Sequence, residues 1–285
     1  MLEGKTATRA TGGFIELVKT LVYAIAIALF IRTFLYEPFS IPSASMVPTL
    51  LVGDYLFVSK FSYGYSRYSL PYGYLVPVAF GSGPGRLFYR APRRGDVVVF
   101  KLPCDYSRLE KTNPQEAEYL KESCSSSTDF IKRIVGLPGD HIQMRAGVLY
   151  INDIPVADKE TTPFFYADND SSCRTTTYPQ FVETLPTDGS NSHDTMTHLI
   201  ITKCGSPMLE DTPGFDVPPN HFFMMGDNRD DSADSRDATS GVGFVPAENL
   251  VGRAQFIFFS TSASLFDPLQ WVWGIRYSRL FMGLH

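Results

Sequence analysis

A chain of 285 residues that is 44% hydrophobic and 14% aromatic can bury a sizeable core and fill one or two domains. Only 19% of residues are charged and the formal net charge is −5, which argues against nucleic acid as the main partner. With 22 Gly and 20 Pro among so many aromatics, the composition favours a β-rich fold over helical bundles.

Residues 1–13 are polar, carry Lys5 and Arg9, and read as a short disordered cytoplasmic tail. The membrane-grade apolar run covers residues 14–36, although its uncharged centre, 20–31, is 12 residues, short of the ~20 that a span needs. Lys19 and Arg32 can snorkel to opposite interfaces and restore the length. Lys5, Arg9 and Lys19 favour an N-inside orientation. The A-x-A patterns at 24–28 lie inside the run rather than after it, so an uncleaved anchor is expected rather than a cleaved signal peptide.

Immediately downstream come Pro38, Pro42 and Pro48, which fix φ and predict a stiff extended loop or edge carrying Ser43 and Ser45. Residues 53–58 alternate as a strand. The stretch 61–80, rich in Tyr, Pro and Gly, reads either as an aromatic hairpin at the membrane interface or as ordinary strand packing. A buried strand is expected at 95–102, then a charged, Ser-rich insertion at 103–129. Strand signals resume at Phe130, with Phe130, Lys132 and Ile134 on one face. A hairpin is expected around Asn152-Asp153, a Thr/Ser/Asp-rich accessory segment at 157–215, and strands at 221–225 and 250–259. Trp271, Trp273, Tyr277 and Phe281 form a second candidate interfacial patch.

A serine hydroxyl is a weak nucleophile until a base takes its proton. His141 is the candidate for an ordinary triad, but no acid at a recognisable spacing accompanies it. The alternative base is a lysine kept neutral by burial, and Lys132 between Phe130 and Ile134 is placed for that. His141, His193, His198, His221 and His285 have no H-E-x-x-H or paired-cysteine context, so neither metal nor cofactor is expected.

Four segments in order carry a resemblance. They are Ile41-Pro42-Ser43-Ala44-Ser45-Met46-Val47-Pro48-Thr49-Leu50, the run from Arg94 to Phe100, the run from Phe130 to Asp140, and the run from Gly226 to Arg236. Together, after an N-terminal apolar segment, they resemble the boxes of the type I signal peptidases (leader peptidases) over roughly residues 15–265. The resemblance implies Ser45 as nucleophile, Lys132 as general base, Ser43 with the Ser45 N–H as oxyanion hole, and Ser232 as the hydroxyl orienting the lysine. It implies Gly226, Asp227, Asn228 and Arg229 as the loop beneath the site, with Arg133, Asp234 and Arg236 as ion-pair scaffolding. Ala44 stands where the family more often has Gly, and Asp231 where it more often has Asn.

The fold so implied is mainly β. An antiparallel catalytic core (37–140 and 221–285) carries an accessory β/loop domain (141–220) and follows one transmembrane helix. The activity is removal of signal peptides after small residues at −1 and −3. Partners would be secretory preproteins and the lipid bilayer, with export machinery nearby. The location would be the bacterial inner membrane, single-pass, with the catalytic domain in the periplasm. An oxidising periplasm and an even cysteine count make disulfides plausible, and of the three connectivities Cys104–Cys124 with Cys173–Cys204 is favoured because each pair brackets one inserted segment. Three rivals remain: a membrane-anchored β binding module, a LexA-like self-cleaving regulator, and a penicillin-recognising enzyme. The second would want a DNA-binding domain in place of the anchor. The third needs S-x-x-K, where this chain has Pro48.

Overall fold

The computed structural model describes residues 7–70, 84–103, 128–166, 177–187, 195–202, 209–237, 241–263 and 273–284, with side chains in the first helix from residue 14. All four cysteines, Trp271 and most of the 103–129 insertion lie outside the described residues, and the expected disulfides with them.

Helix α1 spans Ala7–Phe30 and passes through a wider π turn, Ile31–Leu35, directly into strand β1, Tyr36–Ser40. Residues 7–13, expected as unstructured tail, are therefore its first turns. The apolar stretch Phe14–Leu35 has 22 residues, about 33 Å of helix at ~1.5 Å per residue, enough for a hydrocarbon core of ~30 Å. Its Phe, Leu, Ile and Val side chains stand exposed, as on a helix that meets lipid rather than protein.

The body is built on a seven-stranded antiparallel sheet. It uses β1, β2 (Asp54–Ser59), β3 (Val97–Lys101), β4 (Asp129–Gly136), β14 (His221–Met225), β15 (Phe244–Pro246) and β16 (Leu250–Ser260), in the order β1-β2-β16-β3-β4-β14-β15. The run Val97-Val98-Val99-Phe100 is apolar throughout because both faces of β3 are covered. Val98 and Phe100 face one cluster with Phe222, Met224 and Ile134, while Val97 and Val99 face another with Ile41, Met46 and Leu50. Register shifts in β16 and β14 mark bulges, which add local twist and bend the sheet. Curling brings β1 toward β4: Glu37 of β1 acts electrostatically on Asp129 of β4, although three strands lie between them in the order.

Between β4 and β14 the described residues form three smaller sheets. One is β13-β5-β6-β7, from β5 (His141–Arg145), β6 (Val148–Ile151), β7 (Ile154–Pro155) and β13 (Phe215–Asp216). The hairpin expected at Asn152-Asp153 joins β6 to β7, both turn residues having positive φ. A second hairpin, missed in the sequence, joins β5 to β6 through Ala146 and Gly147, also at positive φ. Another sheet is β12-β11-β8, from β8 (Ala157–Glu160), β11 (Gln180–Pro186) and β12 (Thr195–Ile201). The third pairs β9 (Phe164–Phe165) with β10 (Thr177–Tyr178). Ile142, Met144, Leu149 and Leu185 pack in one cluster with Val135, Phe223 and Met225, joining the first two of these sheets to the main one.

In the 61–80 stretch, Tyr63 is a core residue donating to Asp96 (2.8 Å), not an exposed one. The Tyr65 hydroxyl donates to the Phe34 carbonyl at the end of the anchor (2.8 Å), and residues 71–80 lie outside the described set.

Candidate active site

The segment after β1 is extended only as far as Pro42. The Val47 amide donates to the Ala44 carbonyl (3.0 Å) and the Leu50 amide to Met46 (2.8 Å), so residues 43–50 wind into successive turns. Met46 and Leu50 insert into the core and anchor those turns, which is why the expected extended loop coils instead. Ser45 is nearly buried at their centre, while Ser43 is exposed.

Lys132 points from β4 into the protein and is 4% exposed. Its cross-strand partner is Val98, and Phe130 and Ile134 on the same face join the apolar cluster around Phe100 and Met224. Burial lowers the Lys132 amine to about 8. Asp234, Asp231 and Asp227 oppose that shift and the Arg236 guanidinium reinforces it, but desolvation dominates.

Gly226 is the hub. The β4–β14 register pairs Met225 with Arg133, which carries the next residue, Gly226, toward Lys132. A Cβ at 226 would meet the Ser45 carbonyl oxygen and the Ser232 Cβ, each at 2.5 Å, so only glycine fits between them. The Gly226 amide donates to buried Asp234 (3.0 Å). The Ser232 hydroxyl is buried close by and has no hydrogen-bond partner among the described residues, so the expected bond to the lysine amine is not formed in this structure.

The loop residues bind the Ser45 turn directly. The Asn228 amide donates to the Ser45 carbonyl and its side-chain amide to Ala44, both at 3.1 Å. Arg133 makes a two-pronged bond to Asp227 (2.8 and 2.7 Å), and the Thr49 hydroxyl donates to the same carboxylate (2.5 Å). Burial alone would raise Asp227, but Arg133 outweighs it and holds the carboxyl below its ordinary value. Arg236 embraces Asp234 (2.9 and 2.8 Å) and donates to the Arg229 carbonyl (2.6 Å). Asp234 is lowered in the same way, burial being overcome by Arg236.

Three participants escaped the sequence reading: Thr49, Glu183 and His198. Arg229 bonds Glu183 of β11 (2.5 Å), and His198 of β12 lies 3.3 Å from the same carboxylate. The available signal was a Glu and a His at core-facing positions of strands that otherwise alternate. His141, the alternative base, stands in the four-stranded sheet and does have an acid, Asp216 at 2.6 Å. That carboxylate is 91% exposed, and none of the described contacts of His141 leads to Ser45.

The chain matches the family described as signal peptidase, peptidase S26, over residues 14–259. It is 37% identical to a signal peptidase I of Rickettsia typhi (strain ATCC VR-144 / Wilmington), covering 92% of this chain and 91% of that protein. It is 36% identical to the signal peptidase I of Rickettsia massiliae (strain Mtu5), covering 99% and 94%. A crystal structure of a signal peptidase I from Enterococcus faecalis V583 matches at 22% identity, covering 57% of this chain and 97% of that one with a TM-score of 0.28. A superposition that loose adds nothing to the sheet order given above. The family match runs from the anchor to the last long strand, through all four boxes, and the chain therefore belongs to the signal peptidases of peptidase family S26.

Proposed function

We propose that this membrane-anchored endopeptidase works through Ser45 and Lys132. The neutral Lys132 amine takes the Ser45 hydroxyl proton as Oγ attacks the scissile carbonyl. It then gives that proton to the departing amine, leaving an acyl-serine. Water, deprotonated by the same amine, releases the signal peptide carboxylate. The Ser45 N–H and the exposed Ser43 hydroxyl stabilise the oxyanion. Ser232 serves to aim the amine. Asp227, Asn228, Arg229, Arg133, Asp234 and Arg236 keep Gly226 and the nucleophile turn in place.

The observation that carries this reading is the Lys132 amine, buried in an apolar cluster and brought down to about 8 beside a glycine that touches the nucleophile's own residue. At pH 7 roughly a tenth of such amines are neutral, against fewer than about one in a thousand for a free lysine. Substrates would be preproteins with small residues at −3 and −1, bound as a strand in the cleft of the curled sheet. The site would face the periplasm of a bacterial inner membrane, near the export machinery that delivers the substrates. Exposed Trp273, Tyr277 and Phe281 fit contact with the lipid interface.

The test is cleavage of a preprotein by the full chain in detergent or vesicles. The parent and His141→Ala release the signal peptide, whereas Ser45→Ala does not. Cleavage by Ser45→Ala, or its loss in His141→Ala alone, contradicts the assignment.

A further inference from the structure

The 226–229 loop is held from two sides. Toward the nucleophile it bonds the Ser45 and Ala44 carbonyls through Asn228. On the other side the Ile201 amide donates to the Asp227 carbonyl (2.9 Å) and the Arg229 amide to the Ile201 carbonyl (3.0 Å). The loop thus continues from the end of β12 as one further parallel bridge, Ile201 to Asn228.

Side chains repeat the connection. Glu183 of β11 receives Arg229, and His198 of β12 stands between Glu183 (3.3 Å) and Asp227 (3.7 Å). Glu183, His198, Asp227, Arg229 and Arg133 are all buried. Burial by itself would raise Glu183, but the Arg229 guanidinium holds it well below the ordinary carboxylate range. The groups facing His198 are Glu183 from β11, Asp227 from the loop and Arg133 from β4. Burial, then Arg133, keeps the ring below its ordinary value and hence neutral. Neither ring nitrogen makes a well-aligned hydrogen bond. Charges buried at such a desolvation cost are poor stabilisers compared with apolar side chains of similar volume, but they fix register.

We propose that Glu183 and His198 are positioning residues. Through Arg229 and Asp227 they lock the 226–229 loop to the accessory sheet, and the loop in turn sets the backbone position of Ser45. The inference rests on the Ser45 nucleophile assigned above. It gives the accessory sheet a part in turnover.

Steady-state cleavage of a preprotein by the full chain tests it, with Glu183→Gln and His198→Gln each compared with the parent and with thermal melting of the same samples. A nucleophile set slightly out of place predicts kcat lower by roughly 10- to 100-fold, with KM within about twofold and the variants still folded at the assay temperature. Should Glu183→Gln fail to fold, His198→Gln decides, since it leaves the Arg229–Glu183 pair intact. Parental kcat per folded molecule in the decisive variant, whatever the change in melting temperature, overturns the proposal. Ser45→Ala runs alongside. If it is inactive while both Gln variants keep the parental kcat, only the positioning role falls; if it still cleaves, the nucleophile assignment falls and the positioning role with it.

Discussion

At the scale of single residues, the proposed mechanism has the site trade stability for a usable base. A lysine at about 8 in the folded chain and near 10.4 unfolded makes folding less favourable below pH 8, by about 3 kcal/mol for this one group. The sign follows because the unfolded chain binds that proton more tightly, so stability attributable to Lys132 rises as pH climbs from about 8 to 10. Lys132→Met should therefore abolish cleavage while melting no lower than the parent at pH 7, as differential scanning calorimetry would show. A drop of several degrees would mean that the amine is not a desolvated burden. Gly226 is the opposite case, since its value lies in what it lacks. Gly226→Ala has to push apart the Ser45 carbonyl and Ser232, and a loss of about 100-fold or more in kcat/KM is expected. Near-parental kinetics would show that the contact yields easily.

At the scale of elements, the junction between loop and accessory sheet is acid-sensitive by construction. Glu183, Asp227 and Asp234 are all held below their ordinary values by guanidiniums that outweigh burial. Their stabilisation is present at neutral pH and is lost as pH falls below about 5 through the lowered values. Neutral His198, lowered by burial, adds a loss that begins as pH drops under about 6.5. Melting temperature should fall between pH 7 and 4, and Glu183→Gln should flatten that dependence; identical slopes would exclude the network as its source.

The sequence shows some of these elements and hides others. The unbroken β-branched run before Phe100 marks β3, and Phe130, Lys132 and Ile134 reveal the apolar face of β4 by simple alternation. Pro38, Pro42 and Pro48 suggest an extended segment, yet Met46 and Leu50 draw the chain into turns, a tertiary effect that propensity does not carry. Ala146 occupies a left-handed position that normally announces itself with Asn or Gly, so its hairpin is hidden. The Glu183 partner, Arg229, lies 46 residues along the chain, and the β11–β12 pairing together with the Ile201–Asn228 bridge brings the two together.

At the scale of the whole molecule, the anchor and the site are neighbours. Ser45 lies ten residue steps beyond Leu35, at most about 36 Å if extended, and the turns after Pro42 shorten that. Phe34 meets Tyr65, and Tyr36 meets Phe57 and Phe61, so aromatic contacts tie the end of the helix to β2 and the turn that follows it. The two tryptophans of the chain, Trp271 and Trp273, both fall in the C-terminal segment, and Trp273 is 89% exposed. In the reconstituted full chain, lipids carrying a quencher at headgroup depth should quench tryptophan emission strongly and an aqueous quencher weakly. The reverse order would place this segment away from the bilayer.

The central claim is that a neutral lysine, not a histidine, is the base. The pH dependence of kcat/KM for preprotein cleavage tests it most directly, because that profile reports the base in the free enzyme. The parent should gain activity from pH 6 to 9 with an apparent midpoint near 8, the value burial gives Lys132, and Lys132→Arg should be inactive at every pH because a guanidinium keeps its proton. A midpoint near the ordinary histidine value of about 6.5, with cleavage retained in Lys132→Arg, would contradict the account.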